Sequence, residues 1–249
     1  MTTPPIVAAD PAAAAQACAR RVAALLEAVL SRQETATFAI SGGSTPKLLF
    51  DSLAAAPLPW DRVHIFWVDE RCVPPTDDAS NYKLALTHLI EPARIPDANI
   101  HRIGGELDPS EAAARYVAGI RLFFHLDAAA FPRFDVMHRG MGPDAHTASL
   151  FPGSPLIDDR VHIAAAVFAP QFNQWRVTLL PAVLEAARNT VLLVAGTDKT
   201  EALRAVFQDP YDPKRYPAQI AAQQSEWFLD RAAVGRTSWS AFLSSLTPL

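Results

Sequence analysis

Asp144 and His146 stand two residues apart, just behind Gly140 and Gly142, where the mostly apolar run Phe134-Asp-Val-Met ends. A carboxylate beside an imidazole can move protons in either direction near neutral pH. The glycines let the backbone approach a bound molecule closely. Thr147 and Ser149 follow with hydroxyls. A strand end, a glycine turn and an acid–imidazole pair make a site at the carboxyl edge of a parallel sheet. The same letters also suit an ordinary strand–turn–helix connection with an incidental histidine, and the stretch alone does not choose.

Three other stretches suit an anion. Ser41-Gly42-Gly43-Ser44-Thr45-Pro46-Lys47 lies between a β-rich run at 35–40 and the helical stripe Leu48, Leu49, Phe50, Leu53. Free N–H groups at a helix start point at a ligand, and the helix dipole favours negative charge there. The spacing is neither that of a Walker loop nor that of a dinucleotide fingerprint. A phosphate site and a tight turn capped by Ser44 or Thr45 both fit. Asp69-Glu70-Arg71 closes a near-continuous apolar run at 62–68. Charges at the end of a buried strand need partners or a task, so a salt bridge and a binding role are both open. Lys199 falls in the first turn of a helix expected over 198–207, where a cation opposes the dipole and makes sense opposite an anion.

These residues need a frame. Asp10-Pro11 predicts a capped helix over 10–31 with Val22, Leu25, Leu26, Val29 and Leu30 on one face. Further helices are expected from Ser80, from Asp108 to about Leu126, and from Pro181. Strands are expected at 35–40, 62–68, 99–103, 134–138, 174–180, 190–194 and 226–229. Residues after Pro152 read as a loop of about 20 residues with weak strand signals at 161–168, a length common in binding loops. His64 reads as a core or helix-facing residue, and His88, His101, His125 and His162 as structural or surface residues. The alternation predicts one α/β domain over 1–249, with a mostly parallel sheet and helices on both faces. Right-handed crossovers would gather the turns at 41, 69, 140 and 196 along one edge.

Composition narrows the class. Half of the 249 residues are hydrophobic and 19% are charged, so a sizeable core is expected. A formal net charge of -4 is no basic footprint for nucleic acid. Cys18 and Cys72 make neither a disulfide framework nor a zinc site, and suit a reducing compartment. Met-Thr-Thr-Pro-Pro at the start does not read as a secretory leader, and no apolar run approaches the ~20 residues that span a bilayer. A soluble, cytoplasmic protein without membrane or nucleic-acid partners is expected.

Several motifs together, from about residue 36 to 230, resemble the 6-phosphogluconolactonase family. They are Ile40-Ser-Gly-Gly-Ser-Thr-Pro46, Val68-Asp-Glu-Arg71 with Ser80-Asn-Tyr82, Gly140-Met-Gly-Pro-Asp-Ala-His-Thr-Ala-Ser-Leu-Phe-Pro152, Arg176-Val-Thr178 and Gly196-Thr-Asp-Lys199. Pro217-Ala218 and Trp227-Phe-Leu-Asp230 fit its later pattern. The resemblance implies a Rossmann-like fold of the glucosamine-6-phosphate deaminase and ribose-5-phosphate isomerase kind. It implies hydrolysis of 6-phospho-D-glucono-1,5-lactone in the oxidative pentose phosphate pathway, by a monomer or small homo-oligomer with no cofactor and no metal. His146 would take a proton from water and return it to the ring oxygen, and Asp144 would orient the site or bind a sugar hydroxyl. Arg71, Arg176 and Lys199, with Ser44 and Thr45, would face the phosphate, and Asp69 would contact hydroxyls or hold Arg71. Backbone N–H groups at Gly42-Gly43 or at Gly140 to Gly142 would meet the oxyanion. The wider superfamily also contains glucosamine-6-phosphate deaminases and isomerases, and an activity of that type is the first alternative.

Two features depart from the family pattern. Ala145 stands where the family usually has glycine, and His138-Arg139 end a strand that is usually aliphatic. If position 145 needs a positive φ, alanine is strained there by ~1 kcal/mol or more. A polar strand end needs partners or exposure. These departures motivate a second alternative, a sugar-phosphate-binding protein without turnover.

Overall fold

The computed structural model describes residues 4–235, the side chain of Ser44 excepted. β1 (Ile6–Ala8) leads to α1 (Pro11–Leu30), whose cap residue Asp10 accepts a hydrogen bond from Ala13 N at 2.8 Å. Such a cap is worth about 1 kcal/mol. β2 (Ala36–Ile40), α2 (Ser44–Ala54), β3 (Val63–Trp67) and β4 (Asp69–Arg71) follow. α3 (Asn81–Ala85) continues through a π-type turn at Leu86–Ile90 into α4 (Glu91–Ala93). Next come β5 (Ile100–His101), α5 (Pro109–Phe123), β6 (Val136–Arg139), β7 (Ala164–Ala169) and β8 (Gln174–Leu179). α6 (Pro181–Ala186), β9 (Thr190–Val194), α7 (Thr200–Gln208), β10 (Ser225–Asp230) and α8 (Arg231–Val234) complete the described chain.

Seven strands form one sheet in the order β1-β10-β9-β6-β2-β3-β5, every neighbouring pair parallel. Every residue of β2 and β9 is buried, as strands covered on both faces require. α1 packs on α2 and against β2, β9 and β10. The chain leaves β2 outward to β3 and β5, and leaves β6 the other way to β9 and β10. The loops therefore part between β2 and β6, and a crevice opens at that switch point.

A second sheet, β4-β8-β7, is antiparallel. Val68 joins the two: its N–H donates to Ile40 O at 2.8 Å and its carbonyl accepts from Leu179 N at 2.8 Å. Asp69-Glu70-Arg71 is thus a strand of the small sheet, and the strand at 174–179 belongs there too, not to the parallel sheet. The expected long loop after Pro152 is instead a short turn at Pro155–Asp158 followed by β7. Its Ala164-Ala165-Ala166 run has little intrinsic strand preference, and pairing with β8 supplies what propensity lacks. The strand expected at 99–103 shrinks to β5, because Asn99 turns its side chain to the carbonyls of Asp61 and Val63 at 2.8 and 3.2 Å. The helix expected to reach Leu126 ends at Phe123.

Candidate active site

A cleft of about 200 Å³ lies over the β2/β6 switch point. The turn after β2 brings Gly42, Gly43 and Thr45, and the turn after β6 brings Gly142 and His146. The small sheet adds Asp69, Arg71 and Arg176, and the turn after β9 adds Lys199. Ser44 is the first residue of α2. Asp144 is no part of the cleft lining but is bonded to His146.

His146 Nδ1 lies 2.5 Å from Asp144 Oδ1, which also accepts from the His146 backbone N–H at 3.1 Å. An ionised carboxylate only accepts, so this contact puts the ring proton on Nδ1 and leaves the Nε2 lone pair free. Burial works to raise the Asp144 carboxyl, but the hydrogen bond and charge of His146 outweigh it and hold the group below its ordinary value. Asp144 is therefore a carboxylate across the neutral range.

The turn that carries this pair is tied on both sides. Gly142 N–H donates to His146 O at 2.9 Å, Thr147 Oγ1 to Gly140 O at 2.9 Å, and Ala218 N to Ala145 O at 2.8 Å. The His146 ring lies so close over Gly142 that a Cβ there would sit 2.0 Å from Nδ1. Ala145 adopts φ 63 and is fully buried, so the strain feared from the sequence is present. Its methyl packs in a cluster with Leu203, Trp227 and Leu229, which offsets part of that cost.

The opposite wall is built for an anion. Among the described residues no side chain caps α2, so the N–H groups of Ser44 and Thr45 can face a ligand. Gly42 is required by close approach, since a Cβ would lie 1.8 Å from Asn81 Oδ1. Asn81 donates to Asp69 O at 2.8 Å, and Asp69 Oδ2 accepts from Ser149 Oγ at 2.7 Å. Glu70 is buried beneath this wall and caps α3, accepting from the backbone N–H groups of Asn81, Tyr82 and Arg71 at 2.7 Å each. Burial raises its pKa, and those hydrogen bonds recover only part of the shift.

Arg71 and Arg176 face each other across β4 and β8. Arg71 donates to Ala79 O at 2.6 Å, and the Nε atoms of both arginines are buried without a hydrogen-bond partner among the described residues. Burial lowers the Arg176 pKa; Asp69 pulls the other way and Arg71 adds to the lowering. Lys199 Nζ pairs with Asp198 Oδ2 at 2.8 Å, in the short turn that precedes α7. Among the described residues, no group of three or more His, Cys, Asp or Glu is placed to hold a metal ion, and no helix is long and apolar enough to cross a membrane.

Sequence reasoning missed Asn81 and Phe151. Asn81 sits in the recognised Ser80-Asn-Tyr stretch but has no role assigned from sequence, and its approach to Gly42 exists only in the fold. The Phe151 ring lies 4.7 Å from that of His146. His138 and Arg139 are fully buried, so the polar strand end is enclosed rather than exposed. Arg139 reaches Ile220 O at 2.9 Å, while both His138 ring nitrogens lack partners among the described residues. Burial pushes the His138 imidazole down to about 3. His64 and His101 bond to each other at 3.1 Å on the outer strands β3 and β5, outside the cleft lining.

Residues 9–229 match the family described as glucosamine-6-phosphate isomerases/6-phosphogluconolactonase. A 6-phosphogluconolactonase from Synechocystis sp. is 39% identical over 202 residues, which cover 79% of this chain and 82% of that protein. One from Haemophilus influenzae is 38% identical over 204 residues, covering 78% of this chain and 84% of its own length. The solved structure of 6-phosphogluconolactonase from Trypanosoma cruzi matches with a TM-score of 0.83 at 26% identity, over 95% of this chain and 97% of that one. Fold, motif order and these likenesses agree: the chain belongs to the glucosamine-6-phosphate isomerase/6-phosphogluconolactonase family.

Proposed function

We propose that this chain hydrolyses 6-phospho-D-glucono-1,5-lactone to 6-phosphogluconate, the second step of the oxidative pentose phosphate pathway. One observation carries this. An imidazole with Nδ1 engaged by Asp144 shares a single small cleft with Arg71, Arg176 and Lys199. His146 Nε2 takes a proton from water as the water oxygen attacks the lactone carbonyl. The Gly142 N–H is spent on the His146 carbonyl, so we assign the oxyanion to the free amides of the Gly42-Gly43 turn and the start of α2. As the carbonyl re-forms, the bond to the ring oxygen breaks and the imidazolium returns its proton to that oxygen. The new carboxylic acid then ionises into solvent.

Arg71, Arg176 and Lys199 hold the phosphate, and Asp69 and Asn81 meet sugar hydroxyls. Asp144 fixes the tautomer and steadies the imidazolium. Residues 1–249 act as one domain, in a monomer or small homo-oligomer working in the cytoplasm, where the free Cys18 and Cys72 stay reduced.

A dehydrogenase-coupled assay on freshly generated lactone, with spontaneous hydrolysis subtracted, tests this. Lactone loss well above the buffer rate is expected, with no ammonia released from glucosamine 6-phosphate. Ammonia release without lactone turnover would assign the cleft to the isomerase and deaminase branch. Tight 6-phosphogluconate binding without turnover of either compound would make it a sensor.

A further inference from the structure

Arg176 is the most awkward charge in the cleft. It is 6% exposed, its Nε is buried without a partner among the described residues, and it stands directly across from Arg71. Opposed side chains of an antiparallel pair share one face, and like charges there repel. What Arg176 does touch is aromatic. Its guanidinium carbon lies 4.7 Å from the centre of the Phe172 ring and 5.6 Å from that of Phe151. The two rings are 5.9 Å apart and inclined at 51°, so the guanidinium sits in the angle between them.

The two rings differ in what else they do. Phe151 is buried and also packs on His146. Phe172 is 52% exposed, at the end of the short turn Pro170–Phe172 between β7 and β8. Half in water, it has little core to complete; its ring meets Phe151 and the Arg176 guanidinium.

We propose that Phe172 is a positioning residue whose ring face holds the Arg176 guanidinium beside Arg71, ready for the substrate phosphate. The face of a phenyl ring is negative and attracts a cation. A carboxylate would hold Arg176 as well, but it would compete with an incoming dianion. A ring orients the cation and leaves its charge to the ligand. Phe172 therefore governs binding of the phosphate rather than the acid–base step at His146. This rests on the phosphate placement proposed above.

Three variants separate the two ideas: Phe172→Ala, Phe172→Tyr and Arg176→Met. Each is titrated with 6-phosphogluconate by calorimetry and assayed on the lactone. Phe172→Ala is expected to weaken 6-phosphogluconate binding by about three- to twentyfold and to raise KM by a similar factor, the range a cation–ring contact supplies. Its kcat should change far less than its KM, and Phe172→Tyr, which keeps the ring, should bind as the native chain does. Weaker binding in Arg176→Met with native binding in Phe172→Ala would overturn the role of Phe172 and leave the phosphate placement standing. Native binding in both would remove the phosphate placement and the role of Phe172 with it. A fall in kcat without a rise in KM in Phe172→Ala would also overturn the proposal.

Discussion

His138 and His146 share a strand and the turn that follows it, and the protein treats them as opposites. His138 is fully enclosed, and neither ring nitrogen finds a partner among the described residues. His146 lines a cleft with one nitrogen bonded to Asp144 and the other free. The first has been pushed by desolvation out of the range where a histidine exchanges protons, down to about 3. The second has a carboxylate to set its tautomer and faces the open cleft. Residue type thus says little about which histidine works. Environment decides, and the environment changes within one turn of chain.

The contrast breaks most sharply at Asp144. Asp144→Asn removes the charge that steadies the imidazolium and loosens the tautomer. Turnover should fall roughly 10²-fold or more, with KM far less affected, in steady-state assays. Turnover within a few fold of the native chain would mean that His146 needs no partner.

His138 sharpens the contrast from the side of stability. Unfolded, its imidazole takes a proton near pH 6.5; folded, it stays neutral down to about 3. Between those values the unfolded chain binds more protons, so falling pH drives unfolding, and the contribution reaches about 2 kcal/mol between pH 7.5 and 5. His138→Met should therefore lose less stability on acidification by about that amount in denaturant titrations at the two pH values. It should also gain about 1–3 kcal/mol at neutral pH by removing unpartnered polar atoms from the core. Equal acid sensitivity in the two proteins would show that His138 reaches solvent.

Ala145 is the smallest lever. Glycine there relieves the positive φ, worth about 1–2 kcal/mol. It also gives up a buried methyl worth about 0.8 kcal/mol and frees the unfolded chain by about 0.5–1 kcal/mol. These terms nearly cancel, so thermal or denaturant unfolding of Ala145→Gly should stay within about 1 kcal/mol of the native chain. A larger gain would mean that the loop is strained beyond this one residue.

Much of this was legible in the letters because periodicity and turn chemistry are local. The capped helix at α1, the buried runs of β2, β3 and β9, and the glycine turns at their carboxyl ends all follow from spacing. So did the meeting of those turns, because parallel strands put their ends on one edge. The small sheet was hidden for the converse reason. β7 is built on three alanines and exists through its pairing with β8, and β4 was masked by its charges. The roles of Asn81 and Phe172 were out of reach. Each matters through a contact with a residue far along the chain, Gly42 in one case, or through a ring that faces a cation only once the hairpin has closed.

The central claim is that the free nitrogen of His146 does the proton transfer. It is tested most directly by His146→Ala on freshly made lactone, with 6-phosphogluconate binding and unfolding measured on the same sample. Enzymatic turnover should drop by about 10²- to 10⁴-fold while binding and unfolding stay near native values. Near-native turnover in that variant would contradict the account.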